Sequence, residues 1–458
     1  MPPEATSLDI DALRQRLAGD AVVPGDSAWD SARMAWNLAA DQHPAAVVLA
    51  EGADDVAATL AFAGEHGLRV APQGPGHGAL QLPALDDVVL LRTTRMTGVE
   101  IDADARTARA QAGAVWNDVV GPATEQGLTG LHGSAGGVGV VGYTLGGGLG
   151  WLARKHGFAS NSVISFDVVT ADGQARTVSA DSEPELFWAL RGGGGAYAVV
   201  TAVDFRLVEL RELYAGQLVW PLEQAPEVLA AYREWTAGVP DEVSASLKLM
   251  RFPPIPDIPE PFRGRELVFV GAAVLADEQA AAELVQPMRD VAAPYMDTMQ
   301  TIPASVLPMI AGDPPDPVPG IGDGLVLAEL PPEGAETLLA LAGPGVATPL
   351  LSLELRQLGG VLTQGAADHG AANRTDGDFA LYGIGMPISP EVAEALAGAL
   401  RGLKEGLSGW LEPQTPLTLA EADSSLRSSF ADADVQRLAK VKDAFDPDGL
   451  ILSNHPLD

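Results

Sequence analysis

Three glycine-rich segments lie within an α/β pattern in the first 210 residues of the chain, at 73–78, 133–150 and 191–195. Glycine adopts positive φ angles easily and lacks the Cβ atom that would keep a ligand away from the backbone. Consecutive exposed N–H groups in such turns form a cradle for anions. One segment of this kind would be an ordinary loop, and the alternative is that all three serve tight turns. Three within one α/β unit predict a long, phosphate-bearing cofactor spread across them.

One stretch also matches the dinucleotide fingerprint G-x-G-x-x-G as a string, at Gly137 to Gly142. That fingerprint requires a preceding buried strand and a following helix. Residues 130–136 are too glycine-rich for a buried strand, and glycines at 146–148 and 150 interrupt the helix. The match is therefore weak, and a nicotinamide site of the Rossmann type is not favoured.

Composition excludes several classes of protein. With 458 residues, of which 47% are hydrophobic, the chain predicts two folded domains. Its net charge of −33 disfavours nucleic acid and anionic membranes as partners. The absence of cysteine excludes disulfides, thiolate metal sites and a cysteine nucleophile, and the 7 histidines show no paired ligand spacing, so no metal is expected. The first residues lack the basic and apolar regions of a signal peptide, which predicts a cytoplasmic location.

The pattern of predicted strands and helices changes near residue 210. Before it, short strands alternate with helices that end at glycines, such as the predicted helix from Asp54 to His66 before Gly67. After it, successive strands with interspersed helices predict one antiparallel sheet covered by helices on one side. The predicted strands are 244–252, 267–275, 350–358 and 379–388, and the predicted helices are 225–237, 277–292, 390–407 and, at the basic tail, 434–445.

Six motifs in this order resemble those of the berberine bridge enzyme-like flavoproteins, members of the vanillyl-alcohol oxidase superfamily with a PCMH-type FAD-binding domain. The motifs are residues 44–48 (PAAVV), 73–78 (QGPGHG), 139–148 (GVVGYTLGGG), 167–173 (DVVTADG), 186–194 (LFWALRGGG) and 445–447 (FDP). The resemblance implies an α+β fold. A two-part FAD-binding domain would comprise residues 40–210 and the returning segment 426–458. Residues 211–425 would form a substrate domain whose antiparallel sheet, covered by helices, lies over the flavin.

The resemblance implies FAD as the cofactor, bonded through His77 to the 8α-methyl group of the flavin. Segments 73–79 and 131–150 would wrap the diphosphate and the ring, residues 163–167 and 199–200 would line the adenine side, and Asn454 would close over the flavin. The cofactor-binding positions implied in this way are Gln73, Gly74, Pro75, Gly76, His77, Gly78, Ala79, Ser134, Ala135, Val138, Gly139, Gly142, Tyr143, Gly146, Gly147, Gly150, Val199 and Asn454.

Several positions depart from the family pattern. Ala135 stands where bicovalent members carry cysteine, so a second, thioether link is impossible and a single attachment is expected. Gln73 replaces the usual arginine, Pro75 replaces a glycine, and Tyr143 replaces a frequent histidine. The departures at Gln73, Asn373 and Ala196 keep a non-catalytic flavin-binding protein open as an alternative.

By resemblance, a small-molecule substrate passes hydride from a C–H bond to flavin N5, and dioxygen reoxidises the flavin to give hydrogen peroxide. Val138, at the position that governs oxygen access in the family, leaves room for oxygen, which favours an oxidase. The alternative is a dehydrogenase with another electron acceptor. The second domain has few aromatic residues for a sugar groove, so we expect a small, moderately apolar secondary alcohol or amine as substrate.

For proton removal, the family implies a tyrosine or a carboxylate that reaches down from the sheet. Tyr382 is the first candidate for base or orienting group. Because the pKa of a free tyrosine is about 10, Tyr382 would need a cationic neighbour, with Arg356 and Arg374 available. Glu354 and Arg356 lie two residues apart and so share one strand face. The alternatives are a tyrosine at the core edge and a purely structural ion pair.

Overall fold

The structure is a computed structural model that describes residues 9–421 and 425–457. Over this part of the chain, the first half builds a mixed four-stranded sheet, an antiparallel five-stranded sheet and a two-stranded ribbon. Val88–Leu91 are fully buried, as befits a strand paired on both sides under helices. In spatial order the strands are Asp20–Val22, Ala46–Leu49, Val88–Arg92 and Arg69–Gln73; then Val99–Asp102, Thr107–Gln111, Val199–Arg206, Val163–Val169 and Ala175–Ser179; and Val208–Glu209 with Leu128–Thr129.

Helices cover these sheets. The predicted helix before Gly67 is confirmed as Ala53–His66, and Gly67 ends it in the left-handed conformation with φ 66°. Its apolar residues Val56, Leu60 and Phe62 pack against the four-stranded sheet. The helices of this half are Ile10–Arg14, Trp29–Arg33, Ala53–His66, Trp116–Glu125, Val140–Leu145, Ala153–His156 and Pro184–Leu190, with 3₁₀ turns at Ala79–Gln81 and Ala159–Ser162.

The second half forms one large antiparallel sheet, which confirms the predicted architecture. Its strands in spatial order are Met296–Asp297, Glu212–Pro221, Glu266–Val274, Val243–Arg251, Ser352–Gln357, Phe379–Gly385 and Ile321–Leu327, and Gln300–Pro303 also pairs with Glu212–Pro221. The strands Glu212–Pro221 and Ile321–Leu327 were not expected. The second begins with Ile-Gly-Asp-Gly, a composition typical of a turn, and becomes a strand by pairing with Phe379–Gly385.

The long helices of this half pack on one face of this sheet. Along Val243–Arg251, Ala245, Leu247 and Leu249 point into the core beneath the helices, whereas Ser246 and Lys248 point to the other face. That second face lies over the first half of the chain, since Arg356 donates a 3.0 Å hydrogen bond to the Leu149 carbonyl. The helices are Ala225–Gly238, Glu278–Arg289, Pro332–Ala342, Val361–Gln364 and Pro390–Gly406, with 3₁₀ turns at Leu222–Gln224, Ala304–Met309, Ser408–Trp410 and Leu426–Ser428.

The C-terminal helix Asp432–Phe445 returns to the first half. Leu438 is buried in that half's core, and Arg437 forms an ion pair with Glu185 on the helix Pro184–Leu190 at 2.8 Å. Ile451 then adds a backbone bridge to Val70 at the edge of the four-stranded sheet. The FAD-binding part predicted from the sequence is thus built from both ends of the chain. The boundaries at 210 and 425 stay predictions.

The stretch 130–150, where glycines were expected to interrupt a helix, contains only the short helix Val140–Leu145, which ends at Gly146. Near the N-terminus, the described residues include the short helix Ile10–Arg14. None of the helices in the described ranges has the length and apolarity that crossing a bilayer requires.

Candidate active site

The loop 73–78 begins where the strand Arg69–Gln73 ends. Gln73 is buried and exchanges two amide hydrogen bonds with Gln42, at 2.9 and 3.1 Å, which fixes the start of the loop. Gly76 has φ 97°, and a Cβ atom there would lie 3.0 Å from the Ala35 Cβ. Glycine is therefore required at this turn, which presents the next residue, His77, at the half-buried surface.

The His77 ring is held by stacking and not by hydrogen bonds. Its centroid lies 4.1 Å from that of the Trp36 ring at an interplanar angle of 16°. Within the described residues, neither ring nitrogen of His77 has a hydrogen-bond partner. Burial lowers the pKa of His77 to about 4, so the imidazole is neutral near pH 7. A neutral imidazole keeps a nitrogen lone pair available for bonding.

The second glycine segment lies directly against the first. A Cβ at Gly139 would stand 2.9 Å from the Pro75 Cδ, so the two loops are in contact. After the helix Val140–Leu145, Gly146 ends the helix, and Gly147 and Gly148 take positive φ angles of 99° and 78°. The two loops that the sequence assigned to one cofactor therefore form one surface.

This surface fits a bound cofactor in two respects. First, Gly137 and Gly142 have open space at the Cβ position, where a ligand can approach the backbone. At Gly150 the space is already filled, because a Cβ there would overlap the His132 carbonyl oxygen. Second, the Tyr143 hydroxyl is buried without a hydrogen-bond partner in the part of the chain that is described. A buried unpaired hydroxyl is costly, and such groups cluster where a ligand supplies the missing partner. An extended ligand with polar groups would therefore fit these residues.

The structure brings Asn454 to the histidine loop. A Cβ at Gly78 would lie 2.9 Å from the Asn454 Nδ2 and 3.3 Å from the Gln81 Oε1. Ala79 begins the 3₁₀ turn that carries Gln81. Val199 differs from these residues, because its side chain packs in the core with Val70 and Ile451, so only its backbone could touch a ligand.

Ser134 connects the glycine segment to the second half of the chain. Its hydroxyl donates a 2.6 Å hydrogen bond to Asp313, 179 residues later. Lys248 and Ser134 hold the pKa of Asp313 below its usual value, although burial acts in the opposite direction. The neighbouring Ala135 and Val138 offer no polar side chain, and Val138 packs partly buried against the core.

On the sheet face above these loops, Lys248, Glu354 and Tyr382 are successive cross-strand neighbours. Arg356 donates hydrogen bonds to the Glu354 carboxylate at 3.2 Å, so the predicted ion pair is present. The Lys248 Nζ lies 3.4 Å from Asp313 and 3.9 Å from Glu354. Burial lowers the pKa of Lys248, but these two carboxylates raise it by more, so the amine stays charged. Two cations and two carboxylates thus form a network of balanced charge, in which Lys248 and Glu354 are buried and Asp313 is partly exposed.

Tyr382 does not have the cationic neighbour that the sequence analysis expected. Arg356 is bonded to Glu354, and Arg374 is paired with Asp376 at 2.5 Å. The Tyr382 hydroxyl instead donates a 2.5 Å hydrogen bond to Glu421. Burial, followed by the charge of Glu421, raises the pKa of Tyr382 well above its usual value of 10. Tyr382 is a neutral hydrogen-bond donor here, without the cationic neighbour that it would need to act as a base.

Glu421 is a candidate functional residue that the sequence analysis missed. Burial raises the pKa of its carboxyl to about 7, hydrogen bonds from Tyr382 and Gln81 oppose this shift, and Asp323 adds to it. Its backbone N–H donates to Asp323 at 3.1 Å. Glu421 follows Tyr382 by 39 residues in a loop without regular structure, so no periodicity could place the two together. A carboxyl that titrates near neutral pH is suited to general acid–base chemistry.

Residues 44–179 match the FAD binding domain family. Among curated relatives, the chain is 34% identical over 205 residues to (R)-6-hydroxynicotine oxidase of Paenarthrobacter nicotinovorans, covering 44% of this chain and 45% of the relative. It is 33% identical over 228 residues to glucooligosaccharide oxidase of Sarocladium strictum, covering 48% and 46%. The chain thus spans less than half the length of these relatives.

Solved structures match over almost the whole chain. BBE-like 1 of Physcomitrella patens superposes with a TM-score of 0.85 at 18% identity, covering 98% of this chain and 99% of that one. The 6-hydroxy-D-nicotine oxidase of Arthrobacter nicotinovorans gives a TM-score of 0.83 at 23% identity, covering 96% and 98%. The chain therefore contains an FAD-binding domain over residues 44–179, and its overall fold is that of BBE-like 1 and of the 6-hydroxy-D-nicotine oxidase.

Proposed function

We propose that this chain is an FAD-dependent oxidase of small molecules, with FAD bonded to His77 alone. The observation that carries the proposal is the neutral His77 ring, free of hydrogen bonds among the described residues, between two glycine loops of an FAD-binding domain. Forming the bond would break one C–H bond of the 8α-methyl group and the imidazole N–H bond. The two electrons released would pass to the flavin and from it to dioxygen, which would leave as hydrogen peroxide.

FAD, when bound, supplies the hydride acceptor, and the protein supplies position, protons and access. Gly74, Gly76 and Gly78 with the segment 133–150 would hold the cofactor, and Asn454 would close the site beside Gly78. Tyr143 offers its unpaired hydroxyl to a polar group of the ligand. Ala135 leaves no second covalent anchor.

The proton side of the reaction is assigned to Tyr382 and Glu421. In this proposal the substrate O–H or N–H binds beside the Tyr382 hydroxyl, and the ionised Glu421 carboxylate accepts its proton, directly or through Tyr382. The 2.5 Å hydrogen bond from the Tyr382 hydroxyl to the Glu421 carboxylate gives a direct path for a proton between the two side chains. Glu354 and Arg356 neutralise each other in an ion pair, so they would not exchange protons with the substrate. They would instead orient the substrate or hold the neighbouring strands in place.

A moderately apolar alcohol or amine is the substrate class that the sheet face supports. Phe269, the cross-strand neighbour of Lys248, lies in a cluster with Phe252 and Phe262, with ring centroids 5.3 to 6.1 Å apart. Such a cluster suits an apolar ring better than a hydrated sugar chain. The relative named as a hydroxynicotine oxidase is in keeping with this class.

The test is turnover with a substrate panel under air. The panel contains both enantiomers of 6-hydroxynicotine, gluco- and chito-oligosaccharides, and benzylic secondary alcohols. Oxygen consumption with matching hydrogen peroxide would support the oxidase. Turnover only with an artificial electron acceptor would support the dehydrogenase alternative. A flavin that no member of the panel reduces would favour the non-catalytic alternative. The cytoplasmic location expected from the sequence stays a prediction.

A further inference from the structure

Trp36 lies 41 residues before His77 in the sequence and outside the region matched to the FAD binding domain. Its indole stacks on the His77 imidazole at 4.1 Å and 16°. We infer that Trp36 is a positioning residue that fixes the plane of the His77 ring for covalent attachment of FAD. This inference rests on the proposed bond between His77 and the flavin.

Stacking constrains the ring without blocking its reactive atoms. The lone pair of an imidazole nitrogen lies in the plane of the ring, whereas the indole contacts only the ring face. A histidine with no such contact rotates broadly about χ2. Because bond formation requires the nitrogen to point at the reacting carbon, restricting this rotation raises the fraction of productive orientations.

The backbone on both sides of the loop holds Trp36 in place. The Trp36 N–H donates to the Pro75 carbonyl at 2.9 Å, and the Asn37 N–H donates to the Gly76 carbonyl at 3.4 Å. The Asn37 side chain is buried and exchanges two 3.0 Å hydrogen bonds with the backbone of Gly320. The backbone that carries the indole is therefore hydrogen-bonded to the histidine loop and, through Asn37, to the second half of the chain.

A general packing role does not account for this arrangement. Ala35 and Asn37, the neighbours of Trp36, are buried, whereas Trp36 itself is only half-buried and packs in none of the hydrophobic clusters of the described residues. Among the described residues, His77 is the ring that Trp36 contacts. By contrast, Trp29 packs against the apolar cluster that contains Val47 and Leu90. Trp29 is therefore a matched control for loss of a tryptophan without loss of the stack.

The experiment measures how fast FAD becomes acid-stable. Wild type, Trp36→Leu, Trp36→Phe and Trp29→Leu are produced in riboflavin-limited cells and then incubated with FAD in air. Samples are precipitated with acid over time, and pellet flavin is quantified. We expect Trp36→Leu to slow attachment at least about tenfold, while Trp36→Phe, which can still stack, stays within about threefold of wild type. Trp29→Leu should attach FAD at the wild-type rate.

Reversible FAD binding before attachment and the thermal midpoint of each apoprotein separate orientation from folding. The inference requires Trp36→Leu to bind FAD and unfold like wild type while attaching it slowly. Attachment by Trp36→Leu at the wild-type rate would overturn the inference. So would equal slowing in Trp29→Leu, failure of Trp36→Phe to restore the rate, or loss of reversible binding in Trp36→Leu. Wild-type protein that never forms acid-stable flavin would overturn the proposed His77 bond itself.

Discussion

The hydroxyl of Tyr382, on the strand Phe379–Gly385, donates a 2.5 Å hydrogen bond to the carboxylate of Glu421, in a loop 39 residues later. Gln81, on the turn that follows the histidine loop, also stabilises this carboxylate. The pair therefore stands between the sheet of the second half and the cofactor loop of the first. That position suits a group that receives a proton while hydride leaves the same substrate.

Replacing Glu421 with Gln should remove the acid limb of the pH–rate profile. Because the pKa of Glu421 is raised to about 7, the wild-type carboxyl is ionised, and able to accept a proton, only above that pH. We expect wild-type kcat to rise through about pH 7 and that of Glu421→Gln to be about 100-fold lower and independent of pH there. Steady-state rates from pH 5 to 9, with flavin content checked in each variant, measure this.

Glu421→Gln, which lowers activity, should raise the stability of the fold above neutral pH. A carboxyl whose pKa is raised on folding destabilises the fold as pH rises from its unfolded pKa, about 4.3, through about 7. We therefore expect Glu421→Gln to raise the thermal midpoint at pH 8 relative to wild type and to leave it nearly unchanged at pH 4. An equal midpoint shift at both pH values would show that Glu421 does not titrate near 7.

Replacing Lys248 with Met should destabilise the fold strongly. The substitution removes the cation that the buried Glu354 carboxylate and the partly exposed Asp313 carboxylate share, and leaves Glu354 with Arg356 alone. We expect a loss of about 3 to 5 kcal/mol in the free energy of unfolding, measured with urea, and a smaller loss when Glu354→Gln is added. Lys404→Met, at an exposed position, is the control and should cost less than about 0.5 kcal/mol. Equal losses for the two lysines would contradict the network of balanced charge.

Two glycines of the second segment should respond differently to alanine. At Gly150 a Cβ would overlap the His132 carbonyl oxygen, so Gly150→Ala should destabilise the fold by about 1 to 3 kcal/mol. Gly142 is exposed in a helix with open space around it, so Gly142→Ala should not lower stability. It should nevertheless weaken FAD binding about tenfold, by holding the ligand off the backbone. Undiminished FAD affinity in Gly142→Ala would remove Gly142 from the cofactor site.

Replacing His77 with Ala should abolish acid-stable flavin and leave reversible FAD binding in place. The substitution removes the only nitrogen nucleophile proposed for the bond and leaves the glycine loops intact. His43→Ala is the control, since His43 is exposed and pairs with Asp41. Flavin fluorescence of the denatured protein on a gel reports the bond. A fluorescent His77→Ala band would assign the attachment to another residue.

Local chemistry made part of this site predictable. Each glycine segment is a continuous stretch of sequence, and His77 lies within the first. The backbone conformation of each stretch depends on its neighbouring residues. The spacing of Glu354 and Arg356 likewise places both side chains on one strand face. These features were anticipated because each depends on spacing within one segment.

Contacts between distant segments could not be anticipated in this way. Glu421, Asp313 and Trp36 each approach the site from a segment with no regular pattern, and their partners lie 39 to 179 residues away. Arg356 and Arg374 were available in sequence as cationic neighbours of Tyr382, yet folding pairs them with Glu354 and Asp376. The sign of a pKa shift depends on which charges the fold brings within a few ångströms, which a linear sequence does not specify.

The most direct test of the account is the visible spectrum of the purified protein before and after acid precipitation. Covalent FAD at His77 predicts a yellow protein with absorption near about 450 nm and a yellow pellet over a colourless supernatant. A white pellet beneath a yellow supernatant would contradict the covalent bond. A colourless protein that takes up no added FAD would contradict the flavoprotein assignment itself.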